Sequence, residues 1–115
     1  MKKRWRIAGF VSRTMIAVAL LAGLPSGVYA QQPPSAEIKI DNFSFSPATL
    51  TVAAGTTVTW VNRDDIPHKV ASTDDGFKSK TLDTDEKFSY TFSKAGTYPY
   101  FCSLHPKMTG KIVVQ

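Results

Sequence analysis

The chain has 115 residues, a formal net charge of +5 and a single cysteine. A single cysteine cannot close a disulfide within the chain, so the framework of a cross-linked mini-protein is excluded. Lys2, Lys3, Arg4, Arg6 and Arg13 supply the whole of the excess positive charge. The rest of the sequence holds nine basic and nine acidic residues in scattered order and lacks the basic stripe of a nucleic-acid binder.

The N-terminal cations lead into an apolar run from Met15 to Leu24, followed by Val28, Tyr29 and Ala30. This is the three-part pattern of a secretory signal, with cleavage expected after Ala30. Arg13 shortens the apolar run to about half of the roughly 20 residues that a membrane-spanning helix needs, so no stable membrane anchor is expected. Residues 31–35 are polar and proline-rich and read as a flexible lead-in. Residues 36–115 are then one small domain, exported to the periplasm, with one core and no net charge.

From Ala36 onward the apolar residues recur every second position: Ile38 and Ile40, Phe43 and Phe45, Leu50 and Val52, Val58 and Trp60, Phe88, Tyr90 and Phe92, then Ile112 and Val114. Turn residues separate them at Ser46-Pro47, Ala54-Gly55, Asn62 to Asp65, Asp74 to Gly76, Lys94 to Gly96 and Thr109-Gly110. The pattern predicts about six to eight short strands, and hence an all-β sandwich of two antiparallel sheets. Ser72 to Lys87 is polar and weakly periodic, which predicts an irregular loop or a helical turn.

A strand is expected to end at Cys102, a tight loop to run to Met108, and the last strand to begin after Gly110. That loop carries a thiol, an imidazole and a thioether on Cys102, His105 and Met108. Methionine is a poor ligand for zinc, and calcium and magnesium want oxygen, so the set selects one copper ion. A trigonal copper site with a weak axial methionine needs a second imidazole. His68 is the only other histidine, on a proline-braced loop after the strand Thr57 to Asn62. Taken singly, Met108 reads as a core filler, His68 as a loop residue and Cys102 as an inert buried thiol. The C-x2-H-x2-M spacing together with one spare histidine favours a joint metal site.

Gly55 to Arg63, Ile66 to Val70 and Ala95 to Gly110 resemble the cupredoxins, the type 1 blue copper proteins, over essentially the whole exported domain. Within the family the short ligand loop is most similar to that of the amicyanins, with the plastocyanins and pseudoazurins next. The resemblance implies a Greek-key sandwich with one copper at one end, held by His68, Cys102, His105 and Met108. It further implies an electron carrier rather than an enzyme. The partners implied are transient redox proteins, an amine dehydrogenase and a c-type cytochrome among them, met by a monomer. A copper carrier or resistance protein is the alternative that would use the same donors. One position departs from the family pattern: Lys69 follows the first histidine where many members have asparagine, which puts the tie between the two ligand loops in question.

Overall fold

A computed structural model describes residues 33–115; the expected secretory signal and the expected cleavage after Ala30 lie outside the described residues. Eight strands follow one another: β1 (Ser35–Asp41), β2 (Ser44–Ser46), β3 (Thr49–Val52), β4 (Thr56–Asn62), β5 (Ala71–Ser72), β6 (Lys87–Phe92), β7 (Gly96–Cys102) and β8 (His105–Val114). They form two four-stranded sheets, ordered β2-β1-β4-β6 and β3-β8-β7-β5. The all-β sandwich expected from the period-two pattern is what forms.

The sheets are mixed rather than purely antiparallel. β1 runs parallel to β4, pairing Ile38 with Trp60, and β3 runs parallel to β8, pairing Leu50 with Ile112. Parallel neighbours need a connection that crosses over. Here β2 and β3 take the chain from one sheet to the other between β1 and β4, and a hydrophobic pattern carries no mark of strand direction.

Alternation sets the inward faces. Ile38 and Ile40 of β1, Val58 and Trp60 of β4, Phe92 of β6, Tyr100 of β7 and Ile112 and Val114 of β8 are buried in one core drawn from both sheets. Outward positions of β4 and β6 pair hydroxyls instead, Thr57 with Thr91 and Thr59 with Ser89, each at 2.7 Å. Trp60 is the hub. Its ring meets Tyr100 edge-on at 5.3 Å and lies 5.6 Å from Phe88 and 5.8 Å from Phe77. Gly55 makes the β3–β4 turn at φ +93°, a conformation that a Cβ disfavours.

The segment between β5 and β6 contains no helix among the described residues. It contributes buried Phe77 and Leu82, and antiparallel bridges join Ala71 to Lys78 and His68 to Leu82. Its weak periodicity reflects these isolated anchors, each placing one side chain inward without a sustained ladder.

Burial raises the Tyr100 phenol to about 12. The unfolded chain titrates at about 10, so the neutral phenol's contribution is fully present below that pH and is lost as pH rises from about 10 through about 12. Two units correspond to about 2.7 kcal/mol. Chemical denaturation at pH 8 and near pH 12 should show this loss in the wild type and its disappearance in Tyr100→Phe; an equal alkaline decline in both would contradict the assignment.

Candidate metal centre

Cys102 ends β7 and His105 opens β8, and the two face each other across the antiparallel pair. The ladder steps from Phe101↔Thr109 to Cys102↔His105, so Pro106, Lys107 and Met108 have no partners on β7 and form a bulge. The expected loop is therefore shorter than the sequence suggests: β8 starts at His105 and absorbs the extra residues. Such a bulge redirects side chains that strict alternation would send to opposite faces. Met108 turns inward, 6% exposed, into the same core cluster as Cys102.

His68 reaches this pole from the β4–β5 connection. Its backbone is bridged to Leu82, His68 N–H donating to the Leu82 carbonyl at 3.1 Å and Leu82 N–H returning the bond at 2.8 Å. Asn62, fully buried at the end of β4, braces the loop by donating Nδ2–H to the carbonyls of Ile66 and Leu82, each at 2.9 Å. The structure thus gathers the two histidines and the cysteine: one ligand atom from each of His68, Cys102 and His105 lies within 4.8 Å of the others.

The distances suit a metal. Cys102 Sγ lies 3.8 Å from His68 Nδ1 and 3.7 Å from His105 Nδ1. Bonds of about 2.0 Å to nitrogen and 2.3 Å to sulfur at trigonal angles require N···S separations of about 3.7 Å. Lys69 N–H donates to the Cys102 sulfur at 3.3 Å. That bond comes from the backbone, so it ties the two loops whatever side chain stands at position 69. His68 and Cys102 are wholly buried, whereas His105 is half-buried. The thiolate, two imidazoles and nearby thioether together fit one copper ion.

Two residues at this pole were not singled out by sequence reasoning. Asp64 Oδ2 lies 2.7 Å from His68 Nε2. The same carboxylate accepts the N–H groups of Asn42 at 2.6 Å and Phe43 at 3.0 Å. Burial pushes its pKa up, but the hydrogen bonds from Phe43, His68 and Asn42 outweigh it and hold the carboxyl below its usual value. An ionised carboxylate can only accept, so Asp64 is placed to take a hydrogen bond from Nε2–H of His68, the tautomer that would leave Nδ1, 3.8 Å from the Cys102 sulfur, free as a donor to a metal.

Phe43 is the second. It shares the two-residue β1–β2 turn with Asn42, at φ 55° and 52°. The period-two reading placed it beside Phe45 on a strand. Instead the turn carries it outward, 53% exposed, with its ring edge-on to both His68 (5.7 Å) and His105 (5.2 Å). With Leu104, Pro106, Lys107 and Met108 it rims a shallow, mostly apolar depression around His105.

Comparison with known proteins agrees with this geometry. The family profile described as "Cupredoxin-like domain" matches residues 13–114. The amicyanin of Paracoccus versutus is 36% identical over 83 residues, a match covering 68% of this chain and 63% of that protein's length. Amicyanin-alpha of Methylorubrum extorquens is 33% identical over 102 residues, covering 84% of this chain and 86% of its own. Among solved structures, the purple cupredoxin from Nitrosopumilus maritimus aligns with a TM-score of 0.67 at 36% identity, over 70% of this chain and 99% of that one.

Proposed function

Because the chain belongs to the cupredoxin-like domain family, we propose that it is a mononuclear type 1 copper protein that carries single electrons between redox partners in the periplasm. His68, Cys102 and His105 would hold the ion as strong ligands, with the Met108 thioether as a weaker fourth. The observation that carries this reading is the pair of N···S separations, 3.7 and 3.8 Å, at a pole where two of the three strong donors are fully buried.

When bound, copper supplies a one-electron Cu(II)/Cu(I) couple. The protein's part is to hold its donors still. Cys102 and His105 are fixed by the β7–β8 pairing, and His68 by its bridge to Leu82. Four protein donors would fill the coordination of a single ion, which supports a carrier over a catalyst. The half-buried His105 ring is the route by which an electron reaches the surface. Around it, exposed Phe43 and Leu104 with Pro106 offer the small apolar rim that suits a brief, low-area encounter. Donor and acceptor are small-area redox proteins, an amine dehydrogenase and a c-type cytochrome in the reading that resemblance to the amicyanins implies.

Repeated redox cycling of the copper-loaded protein beside a competing chelator separates electron carriage from copper delivery. Retention of the visible absorption through successive reductions and reoxidations is the expected result. Progressive loss of copper to the chelator would favour a copper carrier or resistance protein.

A further inference from the structure

Of the polar side chains near the candidate centre, Asp64 makes contacts that ligand geometry alone does not require. Its Oδ1 accepts the N–H of Asn42, and its Oδ2 lies within hydrogen-bond distance of both Phe43 N and His68 Nε2. Its own placement is fixed as well. Asp64 N–H donates to Asn62 Oδ1 at 2.9 Å, and the Asp64 carbonyl accepts from the Thr84 hydroxyl at 2.6 Å. The side chain is only 11% exposed, beside a histidine side chain with no exposure at all.

We propose that Asp64 is a positioning residue for the electron-transfer centre: one carboxylate clamps the His68 ring and the Asn42–Phe43 turn together and biases the site toward its oxidised state. The proposal rests on His68 being a copper ligand. Three consequences follow from the contacts. Holding Nε2–H selects the tautomer whose Nδ1 lone pair points to the Cys102 sulfur. A negative charge behind the ring makes that lone pair a stronger donor, and a stronger anionic environment favours the more highly charged metal ion. The third concerns the turn. Phenylalanine at φ 55° is strained, and acceptance of both turn N–H groups by one carboxylate offsets that strain and sets Phe43 edge-on against both imidazoles.

Asp64→Asn keeps the shape and one acceptor oxygen but removes the charge. The copper-loaded variant should stay blue while its preference for Cu(II) over Cu(I) falls at least about tenfold, which is a rise of about 59 mV in midpoint potential for a one-electron couple. Asp64→Glu, which restores the charge, should bring the potential back toward the wild-type value. A blue Asp64→Asn protein with an unchanged potential overturns the proposal. The clamp is also readable without copper and without any variant. Nitrogen-15 NMR of the copper-free wild type should show His68 protonated at Nε2 and exchanging slowly with solvent, and a proton on Nδ1 overturns the proposal. Should the wild type take up copper without becoming blue, the carrier reading fails, and the copper-free measurement still decides the clamp.

Discussion

Replacing Cys102 with serine will abolish the intense visible absorption of the copper-loaded protein and weaken copper binding by more than about 100-fold, while the sandwich stays folded. Changes to groups one step removed from a metal already cost about 10- to 100-fold in affinity, so loss of the thiolate itself should exceed that range. Among the described residues Cys102 is the sulfur donor that is both wholly buried and central to the cluster, within 3.8 Å of both Nδ1 atoms. A serine oxygen is a harder, weaker partner for copper and gives no thiolate charge-transfer band. The structural cost is modest. A hydroxyl replaces a thiol in an apolar setting, which costs about 1–3 kcal/mol, and Lys69 N–H remains to donate to it. Copper titration followed by absorbance, alongside circular dichroism of the copper-free protein, checks both halves. A blue Cys102→Ser protein would remove the thiolate from the site.

The largest effect on stability should come from a residue with no side chain. Gly110 on β8 faces Tyr100 on β7 across the ladder. A Cβ at position 110 would lie 2.5 Å from the Tyr100 oxygen, 2.6 Å from its Cζ and 3.1 Å from the Ala48 carbonyl. Tyr100 cannot swing away. It is 1% exposed, with its ring held edge-on by Phe45 at 4.7 Å and by Trp60 at 5.3 Å. Gly110→Ala therefore forces either the core aromatic or the β3–β8 edge to move, and should destabilise by about 3 kcal/mol, at the upper end of overpacking costs. For a domain this small that is a large share of the total. Urea denaturation of the copper-free protein measures it, and a cost below about 1 kcal/mol would mean that the two strands part more easily than their pairing implies.

What the sequence revealed and what it hid divide on physical lines. Ligand atoms are a matter of residue type, and thiol, imidazole and thioether in seven residues point to copper before any coordinates are known. The inward faces of β1 and β4 were legible for a similar reason, since Ile38/Ile40 and Val58/Trp60 alternate with polar residues, and in β8 the buried Ile112 and Val114 keep the same spacing around half-buried Val113. Strand direction was not legible, because parallel β1–β4 and antiparallel β4–β6 pairs bury the same period-two pattern. Phe43 kept the alternation of a strand and yet sits in a turn, since its backbone conformation is set by a carboxylate that is 21 residues away in sequence. Asp64 itself stood in a polar run, Asn62 to Asp65, that has the composition of an ordinary loop. Only its spatial position behind His68 gives it a different role. Lys69 is the reverse case: the departure from the family pattern drew notice, and the contact found at that position is made by the backbone N–H.

Electron paramagnetic resonance of the Cu(II)-loaded protein, recorded with its visible spectrum, probes most directly whether the mid-chain imidazole joins the C-terminal thiolate on one ion. A narrow copper hyperfine splitting accompanied by an intense blue band is the predicted result. A wide splitting with only weak, pale absorption, as nitrogen and oxygen ligands alone produce, would contradict the account.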